Sequence, residues 1–446
     1  MKESVQTQQK GLTGKYYPYP EYKDSGVEWL GEVPSEWIAT RLKFIASINM
    51  GQSPNSEDCN DLGIGNPFLQ GNAEFGQRSP TPKQYCDSAK KNANVGDFLF
   101  SVRAPVGAVN IADQRYGIGR GLCAIRSHED IAHLYLWWVL QTSKIQFDAI
   151  STGSTFEAVS SEQVCNFALA IPSKNEQHTI ATFLDYETAR IDRLIAQQQR
   201  LIELLKEKRQ SVISHAVTKG LNPNAPMRDS GIEWLGQVPK HWDVSRLKFE
   251  SDVIDCRNKT PEYFDNGEYF VVRTTNVKNQ QLNFNNALYT DKNNFEIWTQ
   301  RGVPVAGSIL FTREAPTGEV CIVPENVKLC MGQRMMNFIC SRKIYTSYLF
   351  DYLISACLER YINSVSHGST VSHLRVEQVE NIPVPVPPEE ELVAIHEHIR
   401  ILKKQYDILE KKVLKAIELM QERRTALIYS AITGKIDLRG WEQPHA

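Results

Sequence analysis

The chain has 446 residues, 41% of them hydrophobic and 23% charged, a composition ordinary for a globular protein of about three domains. Its longest apolar stretches, such as LYLWWVL at 134–140, fall far short of the roughly 20 residues of a membrane span, and residues 1–20 carry no apolar secretory core. Nine cysteines without a CxxC pair argue against a disulfide framework or a zinc site and for a cytoplasmic protein, while a net charge of −2 leaves any nucleic-acid partner to locally concentrated Lys and Arg.

In chain order, residues 1–23 form an N-terminal extension. Residues 24–44 (DSGVEWLGEVPSEWIATRLKF) are then answered at 229–249 (DSGIEWLGQVPKHWDVSRLKF), identical at 14 of 21 positions. This is an internal duplication, and it fixes the architecture before any other signal. Trp29 and Trp37, matched by Trp234 and Trp242, are spaced as a packed cap requires, so we read them as packing residues rather than base-stacking ones. The repeat continues: GDFLFSVRAPVG at 96–107 answers GSILFTREAPTG at 307–318, and STGSTFEAVSSEQV at 151–164 answers SHGSTVSHLRVEQV at 366–379. Finally LIELLKEKRQSVISHAVT at 201–218 answers AIELMQERRTALIYSAIT at 416–433. The offset between copies grows from 205 to 211 and then holds at 215. Each half therefore has a region free to change length and a region that is not.

The expected organisation is α+β: a first domain at 24–172, a long helix at 173–220, a second domain at 221–386, a second long helix at 387–434 and a tail at 435–446. GDFLFSV, GSILFTR and YFVVR at 269–273 read as strands. IAHLYLWWVLQTS and SYLFDYLISACLER read as helices. FALAIPS and IPVPVPP alternate as proline-bearing edge strands. Ser173 to Glu176 has the pattern of a capping box, and Pro387-Pro388-Glu389-Glu390-Glu391 opens the second long helix with proline and carboxylates where both are favoured. Neither helix then meets Gly or Pro until Gly220 and Gly434, and about 40 residues make a rod of roughly 60 Å.

Apolar spacing in the rods is close to heptad. Leu184, Ile191, Leu205 and Val212 recur at sevens around Gln198, thickened by Leu194, Ile195, Leu201 and Ile202. Ile399, Tyr406, Val413, Met420 and Leu427 answer them, with Leu402, Leu409 and Ile417. A stripe sustained over four heptads predicts a coiled coil between the rods, antiparallel because a domain lies between them; burial against a globular domain is the alternative.

No catalytic signature holds. Gly117 to Gly121 lacks the strand–turn–helix context of a cofactor loop and reads as a turn. Asn66-Pro67-Phe68 misses the second proline of an adenine-methyltransferase motif. His396 and His398 stand two apart on a helix and make a poor metal pair. The glycine loops Ser151-Thr152-Gly153-Ser154-Thr155 and His367-Gly368-Ser369-Thr370 offer donors to a phosphate or a base edge, or else cap a following helix. Basic candidates for DNA contact are Arg78, Lys83, Arg103 and Arg120 in the first domain. Arg273, Lys292, Arg313 and Arg334 are those of the second. Arg103 and Arg313 lie on matching strands one place out of register, so strand alternation sends them to opposite faces unless a bulge intervenes, and equivalent roles do not follow.

The doubled YKDSGVEWLGEVPSEWIATRLK phrase, the paired GST loops and the ELLKEKR and ELMQERR helices resemble type I restriction-modification specificity subunits over almost the whole chain. The resemblance implies two target recognition domains and an antiparallel coiled coil with pseudo-two-fold symmetry that holds them apart. It also implies double-stranded DNA as ligand, each domain reading one half of a bipartite asymmetric site. Two methyltransferase and two restriction/translocase subunits would be the partners. S-adenosylmethionine, ATP and Mg²⁺ would belong to those partners, and this chain would bring no cofactor, no metal and no catalysis of its own. A coiled-coil scaffold that organises proteins without reading DNA is the alternative.

Overall fold

The computed structural model describes residues 16–151, 158–257, 259–365 and 373–444. Contacts divide the chain into two units, residues 1–197 with 416–446 and residues 198–415. Each unit holds one domain and parts of both long helices, which run Lys174–Lys219 and Glu389–Ile432.

The duplicated opening phrase builds the same corner in each unit. Tyr22–Asp24 pairs antiparallel with Glu32–Pro34, and Met227–Asp229 with Gln237–Pro239. The intervening turns need glycine: Gly26, Gly31, Gly231 and Gly236 have φ of +68, +59, +75 and +67°. Asp24 Oδ1 accepts from Gly26 N at 2.9 Å and Asp229 Oδ1 from Gly231 N at 3.0 Å. Much of the identity between the phrases is thus turn chemistry. Trp37 and Trp242 are fully buried, as packing residues.

The central sheet of the first unit is antiparallel, ordered Val109–Ile111, Phe98–Ser101, Leu122–Ser127, Ala46–Met50. The second unit repeats it with Val320–Ile322, Ile309–Thr312, Met335–Ile339 and Asp252–Asp255. Both faces are covered, which is why FLFS and ILFT are buried throughout. Alternate residues Phe98, Phe100, Cys123 and Ile125 join a core with Leu136, Leu184 and Leu427. Leu99, Leu122 and Ala124 face a second core with Leu69 and Ile118. That core lies over a smaller sheet in which Asn66–Leu69 runs parallel to Tyr116–Ile118; Tyr269–Val272 and Leu329–Met331 do the same in the second unit.

Among the described residues Ala168–Ile171 pairs only with Ile38–Arg41, and Pro383–Val386 only with Asp243–Arg246, so both proline-bearing segments sit at an edge. The predicted helix at 347–360 is two, Lys343–Leu353 and Ala356–Val365. Ser355 interrupts it, its Oγ accepting from Cys357 N at 3.2 Å as a cap does.

The capping box expected at Ser173 is only half made. Ser173 Oγ accepts from Glu176 N at 3.4 Å, but the Glu176 carboxylate accepts instead from Trp37 Nε1 at 3.2 Å and from the Tyr19 hydroxyl. The second unit uses the matching Glu391, which accepts from Trp242 Nε1 at 3.0 Å and contacts His241 Nε2 at 2.5 Å. In both units a glutamate in the first turn of the long helix pins the opening tryptophan.

Within each unit the two helix segments run antiparallel. Arg424 meets Asp192 at 2.9 Å in the first, and Arg209 meets Asp407 at 2.8 Å in the second, a pair that recurs at the constant offset. Lys206 adds Glu410 at 3.5 Å. Leu184, Ile191, Ile399, Val413 and Leu427 are buried. Ile195, Gln198, Ile202, Leu205, Val212, Leu402, Tyr406, Ile417 and Met420 are half-buried. Leu194, Leu201 and Leu409 correct the expected stripe: they are 40, 39 and 45% exposed. The buried and half-buried positions step by three and four through 191, 195, 198, 202 and 205, which leaves Leu194 and Leu201 on the flank. On the other helix Glu410 takes the seam place next to Leu409.

The segment expected as a tail is part of the first unit. Ile436 and Leu438 are buried in its core, and Trp441 packs edge-on against Phe183. The end of the extension packs there too: Tyr22 donates to Gly434 O at 2.9 Å, and Asp437 N donates to Tyr17 O at 2.7 Å.

Candidate nucleic-acid interface

At one end of each central sheet, three chain segments meet through the same backbone hydrogen bonds. Gly119 N donates to Leu69 O at 2.8 Å, and Gly332 N to Val272 O at 2.7 Å. Val102 N donates to Gly121 O at 3.0 Å, and Arg313 N to Arg334 O at 2.8 Å. Gly51 N donates to Leu122 O at 2.9 Å, and Cys256 N to Met335 O at 3.2 Å. These bonds equate Gln70 with Arg273, Val102 with Arg313, Arg103 with Glu314, and Gly121 with Arg334. The scaffold is one; its side chains are not.

In the first unit the rim is an amide–hydroxyl cluster with two guanidinium groups, Arg103 and Arg120, that have no partner among the described residues. Gln70 Nε2 donates to Ser53 Oγ at 2.8 Å, and Arg120 N donates to the same hydroxyl at 3.4 Å. Arg103 and Arg120 are exposed and flank the Val102–Gly121 bond, so the fold brings them together. Gly51 is required: a Cβ there would stand 2.1 Å from Gly119 O. Of the stretch 117–121 expected as a turn, Gly117 and Ile118 belong to the strand Tyr116–Ile118, and 119–121 join it to Leu122–Ser127. Lys83, exposed, precedes the Gln84–Phe68 pair and borders the rim. Arg78 is elsewhere: its carbonyl accepts from Ile111 N, which pairs with Phe98 at the far end of the sheet.

In the second unit the rim is rich in arginine. Arg313 is mostly buried, 11% exposed, and lies 3.5 Å from Asp255. Arg301 reaches the other Asp255 oxygen at 3.2 Å, and Arg334 meets Glu314 at 2.8 Å. Arg273 donates to Asn286 O at 2.9 Å, and Arg257 lies over the Trp298 ring at 5.7 Å. The Nε atoms of Arg273 and Arg313 are buried without a hydrogen-bond partner among the described residues. Arg334 holds φ of +67°, a strained backbone for a residue with Cβ, in the place of Gly121. Burial pushes the neighbouring Cys256 thiol up, with Asp255 adding to it and Arg313 opposing. Lys292 stands apart: it opens the helix Lys292–Trp298, 3.7 Å from Glu296, beyond the opposite end of the strand that leads to Arg273.

The register argument for Arg103 and Arg313 agrees with this geometry, since one is exposed and the other locked beneath the rim. Sequence reading missed Ser53 and Gln70, and Arg257, Arg301 and Asp255. Apart from Arg301, which follows the helix Lys292–Trp298, their signal was position at or just beyond strand ends, which only the repeat alignment could have supplied. Ser151 closes the helix His133–Ser151, but its side chain, Thr152 to Thr155 and His367 to Thr370 lie outside the described residues. Among the described residues no three His, Cys, Asp or Glu side chains gather as a metal site, and no helix is long and apolar enough to cross a membrane.

Comparison with known proteins bears on the whole chain. The family described as type I restriction modification DNA specificity domain matches twice, at residues 34–204 and 239–419. A putative type I restriction enzyme MjaX specificity subunit of Methanocaldococcus jannaschii is 33% identical over 222 residues, 48% of this chain and 51% of that one. The MjaIX specificity subunit of the same organism is 22% identical across 93% of this chain and 96% of its own length. The EcoDI specificity subunit of Escherichia coli is 20% identical across 91 and 90%. Among solved structures, one from a study of complex assembly and conformational transition of the type I R-M system superposes with TM-score 0.65 at 16% identity, covering 90% of this chain and 98% of that chain. The HsdS subunit of Thermoanaerobacter tengcongensis gives 0.51 at 17% identity, covering 91 and 98%. The two matched segments are offset by 205 residues at their starts and 215 at their ends, as the internal repeat is. With two copies of the family's domain, each an α+β unit carrying antiparallel helices, the chain belongs to the type I restriction-modification specificity subunits, whose part is recognition and not catalysis.

Proposed function

We propose that each unit reads one half of a bipartite, asymmetric DNA site, and that the chain recruits two methyltransferase and two restriction/translocase subunits to it. The single observation that supports this is the common rim scaffold with unlike side chains, Gln70, Arg103 and Arg120 in one unit and Arg273, Arg313 and Arg334 in the other. One scaffold fits one kind of ligand, double-stranded DNA. Unlike side chains fit two different base sequences. S-adenosylmethionine, ATP and Mg²⁺ chemistry belongs to the partners in this reading. The low net charge agrees with a DNA grip shared with them. The long helices then set the spacer between half-sites.

Adenine-methylation sequencing of a host carrying the chain with its partner subunits tests the reading. The expected outcome is one bipartite motif with an unspecified spacer. A continuous motif, or none, contradicts it.

A further inference from the structure

The two rims exchange glutamine and arginine at three matched places: Gln52 with Arg257, Gln70 with Arg273, and Gln333 with Arg120. These are two side chains that take a base edge bidentately in the major groove, arginine at guanine O6 and N7, glutamine at adenine N6 and N7. Burial separates the three places. At the first two the arginine is half-buried and committed within its unit. Arg257 donates to Gln300 Oε1 at 2.6 Å and lies over the Trp298 ring; Arg273 donates to Asn286 O. Gln70 shares both its polar atoms with Ser53 Oγ, at 2.8 and 3.2 Å. At the third place both residues are exposed.

That third place is the tip of a turn held alike in both units. Arg120 stands between Gly119 and Gly121, Gln333 between Gly332 and Arg334. Each is bracketed by two shared backbone bonds, Gly119 N to Leu69 O and Val102 N to Gly121 O in the first unit, Gly332 N to Val272 O and Arg313 N to Arg334 O in the second. Backbone packs on backbone beneath both tips. A Cβ on Gly119 would stand 2.9 Å from Gln70 Cα, one on Gly121 2.6 Å from Gln70 O, and one on Gly332 2.9 Å from Val272 O. Arg334, beside the second tip, is committed to Glu314 at 2.8 Å. A bidentate contact needs its side chain carried on a backbone that does not give way, and these turns supply one.

We propose that this tip is a base-specifying position in each unit, Arg120 taking a guanine in one half-site and Gln333 an adenine in the other. The inference deepens the half-site reading above and rests on it. A base edge is favoured over a phosphate because a phosphate would call for a cation in both units, whereas Gln333 is neutral. One place on a shared scaffold, filled by two different base readers, fits two halves that differ at one base pair.

The test is adenine-methylation sequencing of a host carrying the full chain with its partner subunits, as wild type, Arg120→Gln and Gln333→Arg. Arg120→Gln is expected to turn one G·C pair of one half-site into A·T, and Gln333→Arg one A·T pair of the other half-site into G·C. The rest of the motif and the spacer stay unchanged. Both variants should melt with wild type, since the side chains are exposed. For a variant that methylates too weakly to sequence, the same complex is titrated with duplexes carrying each base pair at each half-site position. Wild type should prefer its base pair at the tip's position about 10-fold and the variant the exchanged one. Relaxed preference confined to that one position also supports the proposal. An unchanged preference in either variant overturns it, and so does a change made by both variants in the same half. Uniform weakening at every base pair, with a salt slope shallower by about one, overturns it too and makes Arg120 a phosphate contact. A wild type without a bipartite motif would instead remove the half-site reading beneath it.

Discussion

The two rims are the most instructive pair of regions in the molecule. Their backbones are joined by the same hydrogen bonds at the same places, yet one carries Gln70 and Ser53 hydrogen-bonded to each other beside exposed arginines. The other carries arginines wired to Asp255 and Glu314. Where the first uses Gly121, the second holds Arg334 in a left-handed conformation. Duplication has kept the backbone that positions the rim and released its side chains. The corners beneath behave oppositely: Trp37 with Glu176 and Trp242 with Glu391 are the same device twice.

The largest expected effect breaks the equivalence of those corners. Glu176 is buried and accepts from two side chains, whereas the Glu391 side chain is 37% exposed. Glu176→Ala should cost about 3 kcal/mol in denaturant unfolding, by leaving Trp37 and Tyr19 buried without an acceptor, and Glu391→Ala about 1. Equal losses would show that burial does not set the difference. Next, Arg313→Ala should cost about 2 kcal/mol by leaving Asp255 with Arg301 alone, and should impair reading of one half-site only. Impairment at both half-sites would contradict independent rims. Removing one heptad from both helices, residues 195–201 with 410–416, shortens each by about 10 Å, roughly three base pairs. If assembly survives, the spacer in the methylated motif should shrink accordingly; an unchanged spacer would end the role of the helices as a ruler. The smallest effect is Arg334→Gly. It should leave stability equal or raise it by up to about 1 kcal/mol while weakening its half-site about tenfold, a split that marks strain held for reading.

The duplication, the α+β character of the domains and their membership of a recognition family were legible in the sequence, because identical turns, matched lengths and heptad spacing leave marks along the chain. The rims were legible only in part. Arg103, Arg120, Arg273, Arg313 and Arg334 fall on them, but Arg78 and Lys292 have the same chemistry and lie at far ends of their sheets. Composition does not encode which end of a strand a residue occupies in three dimensions. Ser53 and Gln70 went unnoticed because neutral polar residues in a loop carry no pattern. The Leu194, Leu201 and Leu409 flank was misread for a similar reason: a heptad stripe gives the period of a seam before it gives its phase. Glu176 looked like a cap because its real partners, Tyr19 and Trp37, are far away in sequence.

Exchanging residues 45–170 for those of a relative with a different target, followed by adenine-methylation sequencing, tests the central claim most directly. The account predicts that one half of the bipartite motif changes while the other half and the spacer stay as they were. A motif altered in both halves, or in neither, would contradict it.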